Sequence, residues 1–407
     1  MRASRYSSRP FRAGWTVCLV ATVMLAAASP AKAETAACDT AGSWFDPANG
    51  RRLNHIEILA NAADHAVVLL GETHDDAEHH RWQLSTLAGV RAHTANLVLG
   101  FEAFPRRVQP VLDRWIAGEL AASTFIDESQ WSRVWAFNPD LYLPLFDFAR
   151  LHQLPMVALN VERTLVAAVG EQGWQNVAEA QREGVGEPAP ASHAYRVELA
   201  QVYRQHRNAK GQDNRSAPEL DSTLEDPAFV RFVEAQLIWD RAMAEALAAA
   251  HRSVGTPTVV GIVGSGHLRR GHGIPHQLRA LGIDDVMVLL PIAPGQPCEA
   301  VDSDAADAMF IAAPRQQPAP PRARLGIFIE TLEQRVRIRK VVADTVASRA
   351  GLVDGDIVIE AAGVSVLEHG QLISLIQRQA PGTWLPVTVE RDGERLQVVA
   401  KFPVTFE

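Results

Sequence analysis

The sequence has 407 residues, of which 47% are hydrophobic and 21% charged, so it can bury a full core and does not have the composition of a disordered chain. This length favours two domains over one. Its formal net charge of −8 at pH 7 argues against nucleic acid as a partner, because binding to phosphates depends on an excess of Lys and Arg.

Residues 1–33 have the pattern of a secretory signal peptide. Four arginines precede an apolar segment over 14–28, and the small residues Ala31 and Ala33 mark a cleavage site after Ala33. Cleavage there removes the four arginines and Lys32, which changes the formal net charge from −8 to −13. An uncleaved N-terminal anchor is the alternative. We expect an exported, periplasmic protein, soluble or peripherally membrane-associated, because no other segment is long and apolar enough to span a bilayer.

Three cysteines are present, and Cys18 lies within the signal segment. Cys38 and Cys298 remain at the two ends of the first predicted domain, in a compartment that favours oxidation. We therefore predict a disulfide between them, which would tie the ends of that domain together. Lipid attachment to Cys38 is the alternative, although Thr35 stands where a lipoprotein signal usually has Leu.

Five short apolar runs separate helical segments in the first two thirds of the chain. Near-continuous Val, Ile and Leu bounded by turns is typical of strands buried on both faces. Strands that alternate with helices predict an α/β domain at residues 40–300, with a mostly parallel sheet flanked by helices. The predicted strands cover residues 66–70, 96–102, 155–160, 257–264 and 285–290.

Prolines mark two of the helix starts. Asn138-Pro139 and Asp226-Pro227 each place a capping side chain before a helix-opening proline. Residues 181–222 are rich in Gly, Pro, Asn and Gln, which predicts a long connection or a small helical insertion that could act as a lid.

Ionisable side chains follow three of the predicted strands at the point where each strand ends. The first strand delivers Glu72 and His74, the second Glu102 and the fourth His267. Two of these ends share a Gly-x-x-His spacing, in LLGETHDD and VGSGHLRR. Because ligands of an open parallel sheet bind beyond the carboxyl ends of its strands, we expect the four side chains to converge on one site.

The two imidazoles and two carboxylates suit a divalent metal such as zinc. In that case the four side chains are the ligand set, and Glu72 or Glu102, if not bound to the metal, could act as a catalytic base on a bound water. Each glutamate could instead cap a helix N-terminus. The neighbouring His79 and His80 are predicted to lie at the surface.

Five segments resemble, in order, the ChaN-like haem-binding uptake family, a branch of the Tiki/TraB/erythromycin-esterase-like superfamily. They span roughly residues 50–292 and comprise LLGETHDD, LGFEAF, FNPDLYLPLFDFARLHQLPMVALN, FVEAQLIWDRAMA and VGSGHLRRGHGIPHQL. In that superfamily two Gly-x-x-His motifs and an intervening glutamate mark the active or metal site. The resemblance carries this role to Gly71–His74, Glu102 and Gly264–His267.

The two branches of the superfamily imply different functions. The ChaN branch implies haem or iron uptake by a homodimer that encloses haem, with a tyrosine on the iron. The resemblance then makes Tyr142, His74 and His267 the cofactor-binding residues. Tyr142 also lies on an apolar helical stripe with Phe146 and Ala149, which favours a buried core position. The Tiki branch implies a metal-dependent peptidase instead, and the family likeness favours haem uptake.

A second domain begins near residue 324. The preceding residues 301–323 are rich in Ala and Pro, which predicts a semi-extended linker. Beyond them RLGIFIE and ASRAGLVDGDIVIEAAGVSV resemble the carboxylate-binding loop and the central stretch of a PDZ domain, over about 324–404. An Asp392-Gly393 dipeptide between two alternating segments predicts a hairpin in this domain.

The PDZ resemblance implies docking to a protein or peptide partner by β-strand addition. For an uptake protein this would be a membrane partner, and for a hydrolase it would be a peptide substrate. A PDZ-shaped domain without a peptide ligand is the alternative. The residues assigned to the groove are Leu325, Gly326, Ile327, Phe328 and Leu372.

Overall fold

The computed structural model describes residues 40–209, 220–295, 301–315, 323–332 and 335–405. The predicted signal peptide and the predicted disulfide between Cys38 and Cys298 lie outside the described residues. None of the helices in the described ranges is long and apolar enough to cross a membrane.

A mixed sheet organises the first domain. In the described residues its eight strands are β1 (Trp44–Phe45), β2 (Arg52–Leu53), β3 (Val67–Glu72), β4 (Leu97–Pro105), β5 (Met156–Asn160), β6 (Thr258–Gly264), β7 (Val286–Ile292) and β8 (Ala308–Ile311). Their order is β2-β1-β8-β7-β3-β6-β4-β5, and all neighbours are parallel except in the two pairings made by β1. The five predicted strands are β3 to β7, and the predicted fold class is confirmed.

Both faces of this sheet are covered by helices. The helices are α1 (His55–Asp64), α2 (Ala77–His93), α3 (Gln109–Ile116), α4 (Ala122–Glu128), α5 (Trp131–Val134), α6 (Leu143–Leu151), α7 (Arg163–Gln172), α8 (His193–Ala209), α9 (Leu220–Glu225), α10 (Pro227–His251) and α11 (Ile274–Ala280). Side chains of α2 and α6 pack into the core on one face, and those of α10 and α11 pack into the core on the other.

The strand β3 is buried on both faces because its side chains alternate between the two cores. Val68 packs into one core and the next residue, Leu69, into the other. A strand of this kind reads as a continuous apolar run. The parallel register with β6 places Glu72 opposite Gly264, so the ends of these two strands lie side by side.

The two predicted helix starts are observed. The Asn138 side chain accepts a hydrogen bond from the backbone N–H of Asp140 at a single 3-10 turn before α6. The Asp226 side chain accepts one from the backbone N–H of Ala228 at the start of α10. The range 181–222 contains α8, in agreement with its interpretation as a helical insertion.

The first sheet extends past its predicted end. β8 pairs with β7 and β1 and lies within residues 301–323, which were predicted to be linker. The linker prediction is wrong for this stretch because four apolar residues, AMFI, are surrounded by Ala- and Pro-rich sequence that hides them. Ala308, Met309 and Ile311 are buried and complete the two cores on this side.

An antiparallel sheet forms the second domain. Its strands are β9 (Ile327–Leu332), β10 (Arg335–Val341), β11 (Ile357–Ala361), β12 (Val364–Ser365), β13 (Trp384–Arg391) and β14 (Glu394–Lys401), and its helices are α12 (Val346–Ala350) and α13 (His369–Gln377). The order is β14-β13-β11-β10-β9, with β12 paired to β11. Asp392 and Gly393 have φ values of 52° and 82°, as a tight hairpin between β13 and β14 requires.

Candidate functional site

The carboxyl ends of β3, β4 and β6 meet at one edge of the sheet. Glu72 ends β3 beside Gly264, and the Oε2 atom of Glu102 accepts a hydrogen bond from the Gly264 N–H at 2.6 Å. His74 follows shortly after β3, and His267 follows shortly after β6. The structure therefore brings the four predicted side chains together.

Glu72 is buried and holds His74 in one orientation. Its Oε1 lies 2.8 Å from His74 Nδ1 and accepts a hydrogen bond from the Tyr142 hydroxyl at 2.5 Å. Its Oε2 accepts a hydrogen bond from Gln83 Nε2 at 2.9 Å and lies 3.4 Å from His80 Nδ1. Because Nδ1 of His74 is occupied in this way, Nε2 is the ring nitrogen that remains for a ligand.

Asp240 on α10 gives His267 a carboxylate partner that sequence reasoning missed. Its Oδ1 lies 2.5 Å from His267 Nδ1, and its Oδ2 accepts a hydrogen bond from the Tyr195 hydroxyl at 2.9 Å. His267 Nε2 lies 3.5 Å from Glu102 Oε1, so both ring nitrogens face carboxylates. The sequence held one signal for this contact. Gln236 and Asp240 are four residues apart and so lie on one face of α10, and Gln236 Nε2 lies 2.9 Å from His267 Nδ1.

The imidazoles and carboxylates shift each other's pKa. Burial alone would lower the pKa of His267, but the charges of Asp240 and Glu102 outweigh burial and raise it to about 10. Burial also opposes charge on His74, yet its hydrogen bond to Glu72 and the charge of Glu102 raise its pKa. For Glu72 and Glu102 burial would raise the pKa, and the facing histidines lower it instead. The charged forms of all four side chains therefore stabilise one another.

A cavity of about 580 Å³ lies beside these ion pairs. His74 and Glu102 contribute to its wall, and much of the remainder is aromatic or aliphatic. This volume is within the range of small-molecule binding sites. The aromatic residues of the lining are Trp135, Phe137 and Trp239.

Aromatic rings and a glycine surround the imidazole of His74. The ring centroid of Trp135 lies 4.6 Å from that of His74, edge-on, and the centroid of Phe137 lies 5.2 Å away. On another side the imidazole packs against Gly264, where an added Cβ would come within 2.8 Å of His74 Cε1. The side chain of His74 nevertheless remains 28% exposed, and the residue lines the cavity.

Three arginines, Arg107, Arg133 and Arg163, also line the cavity and are exposed. Arg107 pairs with Glu162, and Arg163 Nη2 donates to the backbone oxygen of Trp135 at 3.5 Å. The lining also contains Glu102 and Glu162, so its formal charge is +1 with His74 neutral, in a chain whose formal net charge is −8. A cluster of arginines favours ligands that carry carboxylate groups.

Tyr142 does not line the cavity. Its side chain is 1% exposed, its hydroxyl donates to Glu72, and its ring contacts His80 and Trp131. Burial and the negative charge of Glu72 raise the pKa of the Tyr142 hydroxyl above its ordinary value, so the phenol stays neutral. The structure thus places Tyr142 on the buried face predicted by its helical stripe, where its ring packs against Trp135 of the lining.

The prediction that His79 and His80 lie at the surface is wrong. Both are buried: His79 Nδ1 accepts a hydrogen bond from the Thr73 N–H at 2.9 Å, and His80 Nε2 lies 3.1 Å from the carbonyl oxygen of His74. The first turn of α2 packs against the end of β3, and the polar sequence of that turn gives no sign of this tertiary contact.

The four side chains predicted to bind a metal are paired with protein groups. Glu72 and Glu102 accept hydrogen bonds from protein donors, and His267 is enclosed by two carboxylates. Among the residues that the structure describes, no group of three or more His, Cys, Asp or Glu is arranged to hold a metal ion. The set converges as predicted, but its arrangement does not fit a divalent metal site.

The residues predicted to form the groove of the second domain divide into two groups. Leu325 and Leu372 are buried in its core, whereas Ile327 is partly exposed and Phe328 is 61% exposed on β9. Gly326 has a φ of 80°, and an added Cβ there would come within 2.3 Å of a threonine side chain. In the described chain β9 pairs only with β10, which leaves its other edge for an added strand.

Two family models match separate parts of the chain. A model described as haem-binding uptake, Tiki superfamily, ChaN matches residues 58–278. A PDZ-domain model matches residues 323–402. No curated protein matched the sequence.

Solved structures add a likeness in fold. The ChaN structure of Campylobacter jejuni, described as showing cofacial haem binding, matches with a TM-score of 0.52 at 17% identity and covers 66% of this chain and 96% of that chain. Identity this low shows the fold alone. A serine endoprotease from Yersinia pestis matches at 24% identity over 21% of this chain and 30% of that chain, with a TM-score of 0.19 that is too low to add to the PDZ match. Because the first family model covers more than half of the sequence, the chain belongs to the ChaN-like haem-binding uptake family of the Tiki superfamily, and it carries a PDZ domain.

Proposed function

We propose that this protein binds haem in the cavity beside His74 and docks through its PDZ domain to a protein or peptide partner. Haem binding is the property that describes its family. The observation that supports this cavity as the site is its lining, which combines aromatic side chains with three exposed arginines.

The lining suits the two chemical parts of haem. A porphyrin is a flat apolar ring, and aromatic side chains such as Trp135 and Phe137 pack well against such a ring. It also carries two propionates, which suit the guanidinium groups of Arg107, Arg133 and Arg163. When bound, haem supplies an iron centre that takes an axial ligand from the protein.

The residues around the cavity have separate tasks in this proposal. The aromatic side chains exclude water from the ring, and the arginines hold its anionic edge. Glu72 fixes the orientation of the His74 imidazole through the 2.8 Å contact with Nδ1. The pair formed by Glu102 and His267 supports the cavity wall from the protein side. There Glu102 Oε2 accepts a hydrogen bond from the Gly264 N–H, and Oε1 lies 3.5 Å from His267 Nε2.

We further propose that the protein is exported to the periplasm, cleaved after Ala33 and assembled as a homodimer. The basic start, the apolar segment and the small residues before Glu34 support export. The homodimer rests on the family resemblance. N-terminal sequencing that begins at Met1 would contradict cleavage, and a monomeric mass by light scattering would contradict the dimer.

The alternative function, a metal-dependent hydrolase, has no supporting observation in the described residues. Its expected ligands are held in ion pairs, and His267 has a raised pKa that keeps it protonated and unable to act as a base near neutral pH. The PDZ domain is compatible with recruitment of a peptide substrate, but it is equally compatible with docking to a partner protein.

Titration of haemin into the purified protein tests the cavity. We expect a saturable shift of the Soret band in the wild type and an affinity at least about tenfold weaker in Ala167→Trp, which places a bulky ring in the lining. Ala122→Trp changes an exposed helical alanine outside the lining and is the matched control. Equal affinity in both variants would contradict this cavity as the site, and a wild type without a Soret shift would contradict haem binding itself.

A further inference from the structure

The short helix α5 lies between the cavity beside His74 and the second domain. It contributes Arg133 and Val134 to the lining of that cavity, and Trp135 of the lining follows it directly. Ser132 of the same helix contacts α13 of the second domain, where a Cβ added at Gly370 would come within 3.2 Å of the Ser132 Cβ. Neighbouring residues of α5 therefore serve the wall of the cavity and the contact between the domains.

A second cavity, of about 470 Å³, lies where α4 and α5 meet α13, and we call it the junction cavity. Both domains contribute charged side chains to it: Asp127 and Arg133 from the first domain, Glu368 and Arg378 from the second. Arg133 lines this cavity as well as the one beside His74. The two cavities therefore share a side chain, and a movement of α5 changes both.

The first turn of α13 also contacts β9, the strand with an open edge. The backbone N–H of His369 donates to Thr331 Oγ1 at 3.0 Å, and His369 Nδ1 lies 3.0 Å from the same oxygen. The next residue, Gly370, is the one that packs against Ser132. Because a helix moves as a rigid element, a displacement of α13 alters its contacts with β9 and with α5 together.

We propose that the second domain controls the affinity for haem through the contact of α13 with α5, which holds residues 133–135 in place at the cavity wall. The inference rests on the proposed function, haem binding in this cavity. While the two helices are in contact, the wall is fixed and haem is retained. When they separate, the wall loosens and haem is bound more weakly. The PDZ domain then regulates the cavity in addition to docking a partner.

A side chain inserted between the two helices tests the contact. Gly370→Leu does so without a loss of helix propensity, because Leu favours a helix more than Gly does. We expect haemin to bind about fivefold more weakly to this variant, the lower end of the usual range for coupled sites. Ala343→Leu, in an exposed turn of the second domain outside the junction cavity, is the matched control and should bind haemin as the wild type does.

A disulfide across the same contact provides a second measurement that does not depend on a bulky substitution. The Cβ separation of 3.2 Å between positions 132 and 370 is close to the roughly 3.5–4.5 Å that a disulfide requires. We expect Ser132→Cys/Gly370→Cys to form this bond on oxidation and then to bind haemin at least as tightly as the wild type. Reduction and alkylation of the thiols should weaken binding about fivefold, because the added groups separate the helices. Wild type treated in the same way controls for the native cysteines.

The outcomes separate this inference from the proposed function. Failure of the two introduced cysteines to pair, checked by peptide mapping, would overturn the inference, because the helices would then not be in contact. Equal haemin affinity of the oxidised and alkylated proteins, or of folded Gly370→Leu and Ala343→Leu, would also overturn it and leave haem binding intact. A wild type without a Soret shift would overturn the proposed function and the inference together.

Discussion

The two Gly-x-x-His strand ends share a spacing but reach different environments. At the end of β3, His74 keeps 28% of its side chain exposed and pairs with a carboxylate through one ring nitrogen. At the end of β6, His267 is buried and faces carboxylates with both. The helix α10 makes the difference, because it brings Asp240 against His267, whereas His74 borders the cavity. The Gly-x-x-His spacing determines where each histidine follows its strand. The packing of helices that are distant in sequence determines which groups its imidazole can contact.

The largest expected effect comes from removing the partner that encloses His267. Asp240 is fully buried, so Asp240→Asn leaves a buried imidazolium without its nearest counter-charge. Breaking a buried pair in this way costs about 3–5 kcal/mol in the free energy of unfolding, measurable by urea denaturation. Asp147→Asn, an exposed aspartate on α6, is the matched control and should change the free energy by less than about 0.5 kcal/mol. A loss below about 1 kcal/mol for Asp240→Asn would contradict a stabilising role for the Asp240–His267 pair at the end of β6.

A smaller loss of stability should appear with rising pH. The pKa of His267 is raised from 6.5 to about 10, so its contribution is fully present below the unfolded value of 6.5 and is lost as pH rises towards 10. Glu72 and Glu102 have lowered pKa values, so their contribution is present above 4.5 and is lost as pH falls. Urea denaturation at a series of pH values should show the alkaline decline in the wild type and a flatter one in Asp240→Asn. An identical alkaline slope in both proteins would contradict the assignment to His267.

The smallest expected effect is on the His74 imidazole, which borders the cavity. An added Cβ at Gly264 would come within 2.8 Å of His74 Cε1, whereas one at Gly266 would meet nothing within 4 Å. We expect Gly264→Ala to destabilise by about 1 kcal/mol, the low end for overpacking, because the imidazole can tilt into the cavity. Its affinity for haem should also fall, because a tilted imidazole would occupy part of the cavity that His74 lines. Haemin titration and thermal unfolding of Gly264→Ala and of the control Gly266→Ala check this. Equal stability and equal haem affinity in the two variants would refute it.

The ends of the strands were predictable because the sequence around each strand determines where it begins and ends. Continuous Val and Leu define β3 and β6, and a parallel register then places Glu72 next to Gly264, whatever the helices do. The parallel registers of β3 and β4 with β6 bring the strand ends that carry the four charged side chains to one edge of the sheet.

The partners of those side chains were not predictable in the same way. Asp240 and Gln83 lie within helices that carry several polar residues, and only the packed structure shows which of these faces the sheet. His80 was predicted at the surface for the same reason. For Tyr142 two predictions disagreed, because its apolar stripe predicted burial whereas the family motif predicted contact with iron. The residue is buried.

The position of β8 has a practical consequence for dividing the protein. This strand fills the space between β1 and β7, although it follows them both in the chain. A truncation that ends at residue 300 would remove it and leave the facing backbone N–H and C=O groups of β1 and β7 without partners. Open strand edges of this kind promote aggregation between molecules. An isolated first domain should therefore extend beyond Ile311 to remain monodisperse.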